Sequence, residues 1–325
     1  MMVSTRTPCR RALVSWGILL LLAACGPGSP IEPEPEPDTL PGPIEIPEQG
    51  TDSTLDVGTW NLLYFGSKNA GPDDEKLQMA RIRDVIKGTN ADLWGIQEAT
   101  SNAAFDTLLT HLPGYDGLLA NDRTVTHGSD YYTGGEQKVG IVFKTSMVRI
   151  TSARLILTTF DSDFAGRPPL ELRTQLTLEG TTRDAVIIVM HLKAGDDTAS
   201  YRKRSAASKE LKAYVDSTLS DDLVLLVGDW NDDVDESITE GRDSPFRNFV
   251  DDSTEWIFPT AELSEKGDRS HVRYDDMIDH ILGSDEAMED YEKDSALAYR
   301  VDNYIPNYAE TTSDHFPVLV RFLPP

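Results

Sequence analysis

The sequence is poor in cysteine and in basic residues. Only two of its 325 residues are cysteines, Cys9 and Cys25, so the chain beyond them has no thiol for a disulfide or a zinc-thiolate site. Lys and Arg number 30 against 55 Asp and Glu, a net charge of −25. This negative net charge argues against a protein that binds nucleic acid through a basic surface. It leaves room for an enzyme whose bound metal meets a phosphate.

The sequence also has little that could cross a membrane. An apolar run, Ala12 to Ala24, follows three arginines and is 13 residues long, whereas a membrane-spanning helix needs roughly 20. The run is therefore typical of a signal peptide. Small residues before Cys25 resemble a bacterial lipobox, which implies cleavage there and lipidation of the Cys25 sulfur. We expect an exported protein, lipid-anchored at the outer membrane or cell surface of a bacterium; a plain secreted protein is the alternative.

Composition divides the rest of the chain in two. Residues 26–54 carry eight prolines, seven acidic residues and no Lys or Arg, a composition that favours an extended tether. The predicted organisation is a signal peptide over 1–24, a disordered Pro/Glu-rich tether over 25–54 and a folded domain over 55–325. In that domain, about ten strand-like runs alternate with helical patterns at 73–88, 101–112 and 200–219, which predicts an α/β fold.

Polar side chains recur where the predicted strands end. Strand ends are where ligands bind in α/β folds, because the sheet holds the side chains rigidly while the edge stays open. Taken alone, an Asp or Asn in such a place is usually a turn former or a helix cap. The residues at these positions are Asn61, Glu98, His191, Asp229, Asn231, Asp279, Asp314 and His315.

The strings around these residues occur in one order: TWN, IQE, HLK, GDWN, MIDHIL and SDH. In that order they resemble the endonuclease/exonuclease/phosphatase superfamily, and the opening TWNLLYFG is similar to its deoxyribonuclease I-like members. The resemblance covers nearly all of 55–325. It implies a four-layer α/β/β/α sandwich with two packed mixed β-sheets, and metal-dependent cleavage of a phosphoester.

The resemblance also implies a metal site. Glu98 and Asp314 would hold the catalytic cation, with Asn61 beside it. Carboxylates and an amide are hard oxygen ligands, which favour Mg²⁺, with Mn²⁺ or Ca²⁺ as alternatives.

The remaining strand-end residues take catalytic roles by the same resemblance. Asp229 would activate or position the attacking water, and Asn231 would hold a phosphate oxygen. His315, oriented by Asp279, would be the acid/base group, since an imidazole suits proton transfer near neutrality. His191 would contact the phosphate or protonate the leaving oxygen.

Two positions outside the strings bear on the phosphate. Arg167 falls where deoxyribonuclease-like members carry an Arg that contacts the DNA backbone; a solvated loop Arg is the alternative. Gln137 stands where those relatives have a Glu paired with the first catalytic histidine. Either His191 is therefore less basic here, or Glu136 takes over the pairing.

Several other polar residues are not predicted to belong to the metal or catalytic site. Neither His271 nor His280 is assigned a catalytic role, because His271 is predicted to lie in a loop and His280 to face away from Asp279. The basic string YRKR over 201–204, with three further lysines (Lys138, Lys144 and Lys193), either meets a phosphate backbone or forms an exposed face balancing nearby acids.

The predicted function is hydrolysis of DNA by a monomeric nuclease, with no protein partner inferred. A sphingomyelinase-like or other phosphoester hydrolase of the same superfamily is the first alternative. The second is a non-catalytic surface lipoprotein that keeps the scaffold for binding alone. Metal-dependent turnover would distinguish the two hydrolases from the non-catalytic lipoprotein.

Overall fold

The computed structural model describes residues 39–324, so the predicted signal peptide over 1–24 and the lipidation site Cys25 lie outside the described residues. The described chain forms two β-sheets. Its strands are β1 (Leu55–Phe65), β2 (Leu93–Ala99), β3 (Tyr115–Leu119), β4 (Val125–Thr126), β5 (Lys138–Lys144), β6 (Val148–Leu155), β7 (Leu170–Leu178), β8 (Thr181–His191), β9 (Val224–Asp229), β10 (Trp256–Ile257), β11 (Asp279–Ser284), β12 (Leu297–Ala298) and β13 (Val318–Phe322).

Both sheets are mixed. The first has six strands in the order β12-β13-β1-β2-β5-β3, and the second has seven in the order β10-β11-β9-β8-β7-β6-β4. In the first sheet β1 runs parallel to β2 and antiparallel to β13. In the second, β9 runs parallel to β8 and antiparallel to β11.

Helices cover the outer faces. The α-helices are α1 (Glu75–Thr89), α2 (Asn102–Thr110), α3 (Gly128–Tyr131), α4 (Thr198–Thr218), α5 (Arg247–Val250), α6 (Ala261–Lys266), α7 (Asp285–Met288) and α8 (Tyr308–Thr311). Helices α1 and α2 pack on the first sheet, around Trp60 and Trp94. Helix α4 packs on the second sheet through Leu211 and Val215. The four-layer α/β/β/α sandwich is therefore confirmed, and the predicted helices differ from the observed ones by at most two residues at each end.

Alternation along the strands produces the central layer. Every second side chain of a strand points to the same face, so the inner faces of both sheets supply a shared apolar core. The sheets approach so closely at Gly95 that a Cβ there would lie 2.3 Å from Val227 Cγ2. Core residues between the sheets include Val57, Leu93, Ile141, Leu172, Ile187, Val189, Leu225, Val227 and Ile281.

The folded domain begins before the predicted boundary at residue 55. Residues 40–54 belong to the same compact unit as the rest and run beside α1. Ile46 is 5% exposed, and the backbone N–H groups of Gln49 and Gly50 donate to Thr89 O over 3.0 and 2.8 Å. Composition alone assigned this segment to the tether, but its two isoleucines bury apolar area that the proline count conceals.

No helix among residues 39–324 is long and apolar enough to cross a bilayer.

The predicted orientation of His280 is confirmed: its ring lies on the outer face of β11, 5.8 Å from the ring of Phe258. Its Nε2 is 2.8 Å from Met277 O, and its Nδ1 is 3.0 Å from Thr260 Oγ1. Burial lowers the pKa of His280 to about 4, which suits a neutral core histidine.

Candidate active site

The register of three neighbouring strands places three site residues in one row. His191 ends β8 and Asp229 ends β9, and the two are direct partners in the parallel ladder. Asp279 begins β11 and is the antiparallel partner of Asp229. Because β11 runs against β9, its first residue meets the last residue of β9. The second sheet therefore presents a histidine and two carboxylates at one edge.

His315 joins this row from the first sheet. Its Nδ1 lies 2.7 Å from Asp279 Oδ2, and its Nε2 lies 3.8 Å from Asp229 Oδ2. Burial favours the neutral ring, but the negative charges of Asp279, Asp229 and Asp314 outweigh it and hold the pKa of His315 well above its ordinary value. Asp279 is fully buried and its Oδ1 has no hydrogen-bond partner among the described residues.

Asp229 is tied from both sides. Its Oδ1 accepts the Asn231 N–H over 2.9 Å, and its Oδ2 accepts Asn61 Nδ2–H over 3.0 Å. Burial, followed by the nearby charge of Asp279, raises the pKa of the Asp229 carboxyl. Asn61 comes from β1, so this hydrogen bond joins the two sheets at the site. Asn231 also donates through Nδ2 to Leu192 O over 3.2 Å.

Irregular strand pairing in the first sheet sets the direction of the Glu98 side chain. The pairing of β1 with β2 shifts register between Asn61 and Phe65, and the pairing of β2 with β5 shifts between Ile96 and Ala99. Glu98 lies in this doubly bulged region with φ 61°. Bulges and left-handed non-glycine residues commonly redirect a side chain at a functional site. Glu98 Oε2 accepts the Tyr64 N–H over 3.0 Å.

His191 lies between the sheets. Its Nε2 is 3.4 Å from Asp229 Oδ2 and 3.8 Å from Glu98 Oε1. Burial and then the charge of Arg167 hold its pKa well below the ordinary value. Its Nδ1 is buried and has no hydrogen-bond partner in the described chain.

Gln137 does not contact His191 through a hydrogen bond. Its Oε1 instead accepts from Arg167 Nη1 over 2.6 Å, and Arg167 Nη2 donates to Leu192 O over 2.8 Å. Glu136 is exposed and accepts the Thr133 N–H. Neither Gln137 nor Glu136 therefore pairs with His191, and the lowered pKa of His191 has other causes, namely burial and the charge of Arg167.

His271 belongs to the site, although the sequence analysis gave it no role. It is 5% exposed, its Nε2 is 3.4 Å from Asp314 Oδ2, and its ring meets that of His315 edge-on at 4.9 Å. An isolated antiparallel bridge with His315 brings His271 to the site. That long-range pairing has no local sequence signature, so the sequence offered no signal for it.

All of the predicted metal and catalytic carboxylates except Asp279 line one cavity of about 380 Å³. Two tyrosines, Tyr64 and Tyr274, also line it and are 36% and 59% exposed. Its other lining residues include Glu98, His191, Asp229, Asn231, His271, Asp314 and His315.

A buried arginine joins two loops of the cavity wall. Arg204 is fully buried and pairs with Asp232 at 2.7 Å. Its Nη1 also donates to Lys193 O and Gly195 O, each over 2.7 Å. Lys138 is likewise fully buried and donates to Thr100 O over 2.7 Å. The prediction that these two cations meet a phosphate backbone or lie on an exposed face is therefore wrong.

The donor set fits a hard divalent cation. The ion-pair partners of Glu98, Asp229, Asp279 and Asp314 are histidines, namely His191, His271 and His315. Such a concentration of buried negative charge is costly unless a cation neutralises it. Carboxylate and amide oxygens without a thiolate suit Mg²⁺, Mn²⁺ or Ca²⁺, so the residues fit the predicted metal.

Solved structures share this fold. The catalytic domain of human Nocturnin, solved with bound sulfate, is 21% identical, with a TM-score of 0.58 over 83% of this chain and 93% of that one. A D. rerio TDP2 structure with single-strand DNA product is 14% identical, with a TM-score of 0.56 over 84% of this chain and 100% of that one.

A mannosyl-6-phosphatase from Bacteroides thetaiotaomicron is 16% identical, with a TM-score of 0.52 over 82% of this chain and 98% of that one. A comparison with curated proteins finds no significant match. The family model described as the Endonuclease/Exonuclease/phosphatase family matches residues 58–315. These residues are most of the chain and contain every site residue described above. The protein is therefore a member of the endonuclease/exonuclease/phosphatase family, whose members are hydrolases of phosphoesters.

Proposed function

We propose that this protein is a divalent-metal-dependent phosphodiesterase that hydrolyses DNA. The observation that carries the proposal is the buried Asp279–His315 pair, 2.7 Å apart, beside carboxylates in a cavity that opens to solvent. A binding scaffold would have no need to bury such a pair next to Asp229 and Asp314, because each buried charge costs stability.

The side chains support a division of labour. His315, held by Asp279 through Nδ1, takes or returns a proton at Nε2, and the surrounding carboxylates stabilise the imidazolium. Asp229 positions the attacking water, and Asn231 holds a phosphate oxygen. A cation held by Glu98 and Asp314, with Asn61 beside it, would supply Lewis-acid stabilisation of charge on the phosphate. His191, kept neutral by burial, contacts the phosphate or the leaving oxygen.

Two features support a nucleic-acid substrate. Tyr64 and Tyr274 expose aromatic faces at the cavity, where nucleobases can stack, a contact worth about 1–3 kcal/mol per base. Arg167, whose charge acts on His191, carries a positive charge that can attract a neighbouring phosphate. Single-strand DNA product bound to D. rerio TDP2, a protein of the same fold, is compatible with this assignment.

The first prediction tests turnover. The full chain, purified in detergent, is assayed on plasmid DNA, RNA, a generic phosphodiester and sphingomyelin with Mg²⁺, Mn²⁺ or chelator. We expect DNA cleavage that chelator abolishes. Substitution His315→Gln should lower kcat by about 100- to 10,000-fold, the usual worth of a positioned acid/base group.

The matched control for that variant is His127→Gln, because His127 is exposed and pairs with Asp130 instead. It should cleave like the unmodified chain, and thermal unfolding should show that both variants are folded. Activity that survives chelator would contradict the metal mechanism. Sphingomyelin as the sole substrate would contradict the nuclease.

The second prediction tests base stacking. Loss of one stacking contact of about 1–3 kcal/mol in Tyr274→Ala should raise KM for DNA about 5- to 150-fold, and kcat should change much less. Tyr304→Ala is the control, since Tyr304 is 41% exposed and does not line the cavity. Equal KM values for the two variants would remove Tyr274 from the DNA-binding surface.

We also propose that Cys25 carries a lipid that holds the enzyme in the bacterial envelope. The supporting pattern is the apolar run with small residues before Cys25. A covalent anchor of several acyl chains binds a bilayer far more firmly than one chain. Substitution Cys25→Ser should move the protein from the membrane fraction to the soluble fraction and abolish labelling with radioactive palmitate. A membrane-bound Ser variant would contradict the anchor.

A further inference from the structure

We infer that His271 is a positioning residue, which holds Asp314 in the orientation that binds the cation. This inference rests on the proposed function, because it takes Asp314 as a metal ligand. It assigns a role to a buried side chain that the catalytic scheme above does not use.

The backbone brings His271 to Asp314. The Val272 N–H donates to Asp314 O, and the Phe316 N–H donates to Ser270 O, each over 2.7 Å. These two hydrogen bonds flank the bridge that pairs His271 with His315. A short antiparallel ladder therefore holds His271 opposite Asp314 and His315.

Hydrogen bonding sets the tautomer of His271. Its Nδ1 accepts the Arg273 N–H over 3.0 Å, so Nδ1 presents a lone pair and the proton of the neutral ring lies on Nε2. That Nε2 faces Asp314 Oδ2 at 3.4 Å. A nitrogen that carries a proton cannot bind a metal. The ring therefore turns an N–H, and not a metal-binding lone pair, towards Asp314.

Neighbouring rings prevent His271 from turning away. Tyr274 stacks on one face at 4.4 Å between centroids, with an interplanar angle of 27°. The His315 ring stands at 87° to it. Asp314, in contrast, keeps 25% of its side chain exposed. With Oδ2 facing His271, Oδ1 lies 3.9 Å from His315 Nε2 and is left for a cation.

Metal affinity separates this role from simple packing. Outer partners of metal ligands change metal affinity about 10- to 100-fold when they are removed. Substitution His271→Phe keeps a flat ring against Tyr274 but has no donor. Substitution His271→Gln places an amide N–H where Nε2–H was. Substitution His127→Gln, at an exposed histidine that pairs with Asp130, is the control.

The experiment measures Mn²⁺ binding to the full chain without substrate, by titration calorimetry and electron paramagnetic resonance. Asp314→Asn defines binding elsewhere on this acidic protein, and thermal unfolding checks that each variant is folded. We expect His271→Phe to weaken Mn²⁺ binding about 10- to 100-fold. His271→Gln and His127→Gln should stay within about threefold of the unmodified chain, well below that range.

Two results would overturn the inference. One is a His271→Phe variant that binds Mn²⁺ like the unmodified chain. The other is a His271→Gln variant as weak as His271→Phe, because the donor would then be irrelevant. An unmodified chain whose Mn²⁺ binding equals that of Asp314→Asn would instead sink the proposed metal site itself. Absence of DNA cleavage would leave the Mn²⁺ result standing, since no substrate is present.

Discussion

The strand register at the edge of the second sheet is the constraint on which the site depends. It puts His191, Asp229 and Asp279 side by side at the ends of β8, β9 and β11. A slip of one residue in any of these strands would turn its side chain to the opposite face of the sheet. The Asn61–Asp229 hydrogen bond then ties this row to the first sheet. The apolar core between the sheets therefore determines the geometry of the candidate site as well as the stability of the fold.

The same register creates an electrostatic problem. Four carboxylates, Glu98, Asp229, Asp279 and Asp314, lie near one another and find histidines as their ion-pair partners. The charges of Asp279, Asp229 and Asp314 hold the pKa of His315 high, whereas burial holds that of His191 low. The pKa values of two histidines in one site are thus shifted in opposite directions by their surroundings. A bound cation would relieve the repulsion among the carboxylates, so folding and metal binding are expected to support one another.

Local sequence patterns predicted much of this. The apolar runs of the strands gave the α/β class, and polar residues at their ends gave eight candidate residues that the structure brings together. His271 was missed because it reaches the site through pairing with a segment more than 40 residues away. Lys138 and Arg204 were misplaced because charge alone does not reveal that backbone carbonyls and Asp232 satisfy them inside the fold. The family strings, and not periodicity, supplied the two-sheet architecture.

The proposed chemistry depends on a divalent cation held by Glu98 and Asp314, which both line the cavity. The most direct test is a crystal of the protein grown with Mn²⁺, with diffraction recorded at the manganese absorption edge. We expect one strong anomalous peak bonded to carboxylate oxygens of Glu98 and Asp314. An empty cavity at saturating Mn²⁺, or a peak held by other residues, would contradict it.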